Sequence, residues 1–285
     1  MVRRFLPLVI TLLLVSLSIS ISASGQEEQF GEEPRQKPSD RIAYDRAVAE
    51  TDPAKKIQLI EQFFVDYPDS SLIADMHQIA AHAYSAINNY DKVVEHASKA
   101  IELSDEPPFA MFTLLANAYA EHKEPERAIS NARRAIELVA RARRPSIFSE
   151  AQWENLKANA LASNYASLGY CYLQLGKNSK SASERDSCYN KSIEAFNKAL
   201  QYDNLDDISY WRIGLVYAYK NNAEAAVQNL ARAVAIKKLA ARPAYATLEQ
   251  IYRLLNNNRL DGLDAILRSA ADEINRFKAG QAKSR

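Results

Sequence analysis

The chain has 285 residues, 47% of them hydrophobic and 25% charged, a balance that excludes disorder throughout. Seven glycines are too few for the turn-dense pattern of an all-β domain, and the abundance of Ala, Leu, Glu, Lys and Gln favours helices. A formal net charge of +1 gives no footing to polyanion binding, so nucleic acid is not an expected partner.

At the start of the chain, Arg3 and Arg4 precede an apolar run from Phe5 to Val15, which continues as a Ser/Ile alternation to Ser22-Ala23-Ser24. A basic region, an apolar region and small closing residues make residues 1–24 a secretory signal, cleaved after Ser22 or Ser24, and place the mature chain in the periplasm or outside the cell. The alternative is an uncleaved anchor, since residues 5–23 are nearly long enough to span the inner membrane; membrane association is expected only in that case. No Cys stands nearby, which excludes a lipid anchor of lipoprotein type. Two of the 36 basic residues lie in this segment, leaving 34 against 35 acidic ones. Residues 25–39, polar and interrupted by Pro34 and Pro38, read as a flexible leader.

From residue 40 to residue 277 the pattern is repetitive. Tyr210, Ile213, Gly214 and Tyr217 have the spacing aromatic, aliphatic, small, aromatic; Tyr165, Leu168, Gly169 and Tyr172 carry it 45 residues earlier. Phe112, Leu115, Ala116 and Tyr119 carry it again, and His77, Ala80, Ala81 and Tyr84 are a weaker copy 35 residues before that. Each copy is followed by apolar or small residues at i, i+4 and i+7: Val93, Ala97, Ala100; Ala128, Ala132, Ala135; Ser192, Phe196, Ala199; Ala226, Leu230, Ala233. The last two sets are 34 residues apart although their leading signatures are 45 apart, so the third unit carries an insertion of 11 residues between its two halves.

This arrangement resembles the tetratricopeptide repeat, a helical hairpin of 34 residues with the pattern W-x2-L-G-x2-Y followed by A-x3-F and P. The resemblance covers residues 74–240 well. Poorer units flank it: residues 40–70, ending in Phe63-Phe64-Val65-Asp66-Tyr67-Pro68, and Arg242 to Phe277, where Gly262 interrupts the second helix. The resemblance implies an all-α, right-handed superhelical solenoid of five to six hairpins. Small residues at Ala81, Ala116, Gly169 and Gly214 let paired helices approach closely, and neighbouring hairpins bury what one alone cannot. The polar end, residues 278–285, reads as a disordered tail.

Within the third unit, Ser149 and Gln152 form a capping box that opens one long helix over about 150–175. Ser181 and Glu184 form a second box, opening a helix that runs to about Tyr202. The elongated hairpin either projects toward a partner or packs on the adjacent unit. Cys171 and Cys188 both lie in it. With a turn centred near residues 179 and 180 they fall opposite each other, and an exported chain meets an oxidising compartment. A disulfide and a pair of free thiols are the two readings.

Chemistry-bearing motifs are missing. His77, His82, His96 and His122 stand in no metal-ligand spacing, and no nucleophile elbow or phosphate loop occurs, so neither enzyme activity, cofactor nor metal is expected. Arg133, Arg134, Arg141, Arg143 and Arg144 cluster near a helix end, where cations offset the dipole. The repeat resemblance implies that first helices line a concave groove presenting Gln78, His82, Asn117, Glu121, Tyr170, Gln174, Trp211, Arg212, Tyr219, Gln250 and Arg253 to a protein or peptide partner. Tyr170 and Trp211 equally suit packing between helices. Some members of the family hold a partner's carboxylate with an Asn and cations from the next repeat. Asn117 matches the Asn, but Ser163 and Ser167 stand where the cations belong. The expected role is a scaffold or adaptor of the cell envelope. The alternatives are a receptor for a small molecule or glycan, and a structural subunit of an envelope assembly complex.

Overall fold

The computed structural model describes residues 39–283; the predicted signal, all of the leader but Ser39, and the last two residues of the predicted tail lie outside the described residues. The described chain is helical and divides into two compact units, one ending at Pro107 and one beginning at Pro108. The first holds α1 (Ser39–Ala49), α2 (Pro53–Asp66), α3 (Ile73–Ala86) and α4 (Tyr90–Glu102). The second holds α5 (Phe109–Glu121), α6 (Pro125–Arg141), α7 (Glu150–Asn178), α8 (Ala182–Tyr202), α9 (Asp207–Tyr219), α10 (Ala223–Ile236), α11 (Ala241–Leu255) and α12 (Leu263–Lys283).

Local chemistry sets the helix ends. Asp52 caps α2 by accepting the Lys55 N–H at 2.8 Å, and Pro53 follows at a first-turn position where its missing N–H costs nothing. The turn between the two helices of a pair is closed by Asn88, Lys123 and Asn221, with φ of 57°, 61° and 56°. Asn tolerates this left-handed region better than most side chains. In two of these turns the next residue, Asn89 or Asn222, caps the second helix by accepting the N–H of Lys92 or Ala225.

In the first unit α1 packs on α2, α2 on α3, and α3 on α4. In the second unit α5 pairs with α6, α7 with α8 and α9 with α10, while the first helices pack side by side, α5 on α7, α7 on α9 and α9 on α11. The repeat phase read from the sequence holds at its critical contacts. A Cβ built on Gly169 would sit 2.7 Å from the Phe196 ring, and one on Gly214 would sit 2.6 Å from Leu230 Cγ and 3.2 Å from the Ala226 carbonyl oxygen. Phe196 and Leu230 are fully buried, and each is the middle residue of its second-helix triplet. The two glycines therefore occupy equivalent contact points in successive hairpins, where no side chain larger than hydrogen fits.

The third pair departs from its neighbours at both ends. The aromatic residue that opens the signature stands within the first turn of α5 and α9, but about four turns into α7. The extra turns are packed, because Trp153 lies in a cluster with Phe109, Val139 and Ala160 and sits 5.9 Å from the rings of Phe109 and Phe148. At the other end both helices run past the signature, which absorbs the 11-residue insertion. There Ser181–Ser187 are exposed, and Lys220, just past the end of α9, reaches Asp186 and Asn190 of α8. The box at Ser149 and Gln152 is complete. At the second cap Ser181 accepts the Glu184 N–H, but the Glu184 carboxylate accepts from Ser179 Oγ instead of closing the box on Ser181.

The cysteines are free thiols, Cys171 buried and Cys188 half-buried, which corrects the disulfide alternative. The reason is register. Ser192 Oγ donates to the Gly169 carbonyl at 2.7 Å, and the space beside Gly176 is filled by Tyr189 and Cys188. Cys188 thus lies against Gly176, and the residue facing Cys171 lies about 7 Å further along α8. Burial pushes the Cys171 thiol up to about 12.

The last pair differs again. Gly262 does not interrupt a helix: with φ of 89° it closes the turn ahead of α12, and Tyr252 Oη donates to the Asp261 carbonyl beside it at 2.7 Å. α12 then packs chiefly on α10, where Arg232 Nε meets Glu273 at 3.0 Å, and buries Leu263, Ala270 and Ile274. It continues to Lys283, so residues 278–283 are helical where their polarity predicts a disordered tail; Lys278 and Ala279 are strong helix formers.

Candidate partner-binding face

Five of the proposed groove residues come together where α5, α7 and α9 lie side by side. Asn117 of α5 is taken up by α7: its Oδ1 accepts from Ser167 Oγ at 2.6 Å and from Ser163 Oγ at 3.2 Å. Two hydroxyls thus stand where a carboxylate clamp would need cations, and they use the Asn side chain as an interhelical tie. One turn further along, Gln174 Nε2 donates to the Ala120 carbonyl at 3.0 Å. Next to it the Arg212 guanidinium of α9 lies 4.0 Å above the centre of the Tyr170 ring, a stacked cation–π contact. Arg212 is only 7% exposed, and desolvation lowers its pKa to about 10, with Tyr170, Asp206 and Glu121 opposing the shift.

Glu121 completes the group. Its side chain is solvent-exposed, yet protein atoms crowd it enough that lost hydration raises its pKa, with Arg212 acting in the opposite sense. The face therefore carries a stacked Tyr–Arg pair beside an accessible acid, with hydrogen-bonded Asn and Gln fixing the helices on which they stand.

The remaining predicted residues lie elsewhere. Trp211 packs against the apolar cluster of α9–α12, and its Nε1 is buried with no hydrogen-bond partner among the described residues. The Tyr219 ring stacks on Tyr189 at 5.8 Å, with Lys177 5.5 Å from its centre, by the α7–α8 turn. On α11, Gln250 is exposed, while Arg253 binds Glu249 at 2.9 Å and the Asn258 carbonyl at 3.0 Å. In the first unit Gln78 donates to Asp75, and His82 is half-buried, with desolvation lowering its pKa. The arginine cluster is a solvated face: Arg134 and Arg141 both pair with Glu137, Arg144 pairs with Glu150, and Arg133 donates to Tyr172 Oη.

Sequence spacing missed one cluster. His77 of α3 and His96 of α4 meet with their Nδ1 atoms 2.9 Å apart, and Phe64 of α2 stacks on both rings at 4.5 and 5.3 Å. Position 77 is the signature aromatic site that Phe112, Tyr165 and Tyr210 fill elsewhere, and an imidazole in that series was the signal available. No group of three His, Cys, Asp or Glu able to hold a metal ion occurs among the described residues, and no described helix is long and apolar enough to cross a membrane.

Known proteins place this architecture in the class of tetratricopeptide-type helical repeats. The crystal structure of MamA superposes with a TM-score of 0.50 at 20% identity, over 71% of this chain and 94% of that one. The RpL4 assembly chaperone Acl4 superposes with a TM-score of 0.54 at 12% identity, over 86% and 100%. YrrB, a TPR protein, gives 0.47 at 16% identity, over 73% and 88%. The first two likenesses speak to the fold alone. At the level of sequence, the tetratricopeptide-repeat family matches residues 208–238, the stretch that contains Tyr210, Gly214 and Leu230. No curated protein matches the chain.

Proposed function

We propose that this chain is an exported, non-catalytic interaction module that binds a peptide or protein segment along the first helices of residues 108–283. The observation that carries this reading is the face where α5, α7 and α9 lie side by side, with exposed Glu121 beside the stacked pair of Tyr170 and Arg212. That face offers an extended segment the partly exposed ring of Tyr170 and the exposed acceptor of Glu121, while buried Arg212 holds the ring in place. Repeat folds present such a surface without any loop having to be ordered, so little conformational entropy is lost by the module on binding. Export rests on the basic and apolar segment at residues 3–15.

A photo-crosslinking amino acid placed at Glu121 tests the reading, with the same group at exposed Ser130 of α6 as control. In envelope extract the Glu121 probe is expected to trap one protein in stoichiometric amount, and Glu121→Lys combined with Gln250→Lys to weaken its capture at least tenfold. Trapping of the same protein from Ser130, or of none from Glu121, would refute it. Glycan or small-molecule adducts in place of protein would assign the face to a receptor.

A further inference from the structure

Three of the four histidines in the chain, His77, His82 and His96, lie in the first unit. Two of them face each other in a way that restricts their protonation. With Nδ1 to Nδ1 at 2.9 Å, one ring donates and the other accepts, so a single proton lies between them. His96 is 3% exposed, and its Nε2 is buried with no hydrogen-bond partner. The arrangement of lowest cost has His96 donating through Nδ1–H, which leaves Nε2 a bare lone pair, and half-buried His77 accepting.

Any additional proton breaks this arrangement. Placed on His77 Nδ1, it points at the proton of His96. If His96 then changes tautomer to accept it, its Nε2–H is left buried without an acceptor. Placed directly on His96 Nε2, it creates a buried imidazolium with the same orphan. Nor does the surrounding charge hold an imidazolium. From α2, Glu61 faces the cluster but accepts from Tyr84 Oη at 2.5 Å. From α4, Glu95 pairs with Lys92 at 3.0 Å, and Lys99 pairs with Glu102 at 2.8 Å. Above and below, the rings of Phe64 and Tyr84 stack on His96, both at 5.3 Å, which excludes water.

We propose that His77 and His96 form a latch between α3 and α4 that closes only when both imidazoles are neutral, so that mild acid loosens the first unit. The titration agrees in sign: desolvation lowers both histidines, His77 to about 4 with the neighbouring His96 adding to the shift. An opened pair takes up protons near the ordinary 6.5, ahead of the closed form. The latch is therefore complete above pH 6.5 and is lost progressively as pH falls from there toward about 4.

Backbone hydrogen exchange of the full chain at pH 7.5 and 5.0, corrected for the intrinsic rate, reads this directly. Exchange in α3 and α4 is expected to rise by about tenfold or more at pH 5.0, with α9 and α10 changing by no more than about threefold. Replacing both rings, His77→Phe with His96→Phe, keeps the stacking and removes both proton acceptors, so the rise in α3 and α4 should fall to about threefold or less. Should that variant fail to fold, NMR titration of the imidazole carbons in the unaltered chain decides: His77 is expected to titrate at about 4 and His96 below about 6.5, the value of an exposed imidazole. Equal exchange at the two pH values, a tenfold rise retained by the double variant, or ring titration near 6.5 would each overturn the proposal.

Discussion

The two units solve the same packing problem with different chemistry. In the α7–α8 and α9–α10 pairs the helices close on a missing side chain: Gly169 receives the Phe196 ring and Gly214 receives Leu230, contacts that hold no charge and no proton. In residues 39–107 the equivalent small residue is Ala81, and the signature position one turn earlier holds His77, which meets His96 and Phe64, while Tyr84 stacks on His96. Apolar contact is indifferent to pH, whereas a hydrogen-bonded imidazole pair is not. One fold can thus carry an insensitive and a sensitive segment with only a change of residue type at a shared position.

Substitutions sharpen the contrast when ordered by expected effect. Trp153→Ala should cost about 4 kcal/mol, since it empties the cluster that holds the start of α7. Urea unfolding should show this in the second unit, with exchange in α3 and α4 unchanged. Gly214→Leu should cost about 3 kcal/mol by forcing α9 from α10, and a loss below about 1 kcal/mol would mean the close approach is not limiting. Ser163→Ala with Ser167→Ala, which strips Asn117 of its partners, should cost about 2 kcal/mol while freeing that side chain, so any gain in partner affinity marks Asn117 as accessible. Asp207→Asn should have the smallest effect, and its sign is opposite to that of the histidines. Burial raises this carboxyl, which accepts the Ala240 N–H at 2.6 Å. The folded state thus holds the proton longer, and its contribution to stability is present below about 3.8 and declines as pH rises through the raised value. The variant should flatten that slope in an acid-range unfolding series.

Much of the fold could be read from spacing because its determinants are local. The capping residues Ser149 and Gln152, the alternation of signature and triplet, and the small residues at 169 and 214 all act within a few turns of themselves. What escaped depends on pairing between helices. Ligand spacing along one helix says nothing of His77, because its partner stands 19 residues away on the next helix. The α7–α8 turn stands where expected, but the helices pack with Gly176 against Cys188 and Gly169 against Phe196, an offset between the helices that turn position alone does not set. On the candidate face, Asn117 was legible as a polar position, but its engagement by Ser163 and Ser167 depends on the approach of α5 to α7. Trp211 was read as either ligand-facing or packed, and it sits in the packed position.

Helix α7, at 29 residues, touches α5 and α6 from Trp153 to Gln174 and packs on α8 and α9 as well. Arrays of independent hairpins melt one by one from their ends, each boundary being a separate joint. A continuous rod laid across two such joints works as a splint, since neither joint can open without bending or unwinding it. Under mechanical load or rising temperature the middle of the second unit should accordingly give way in one event, without the stepwise peeling of an unsplinted array.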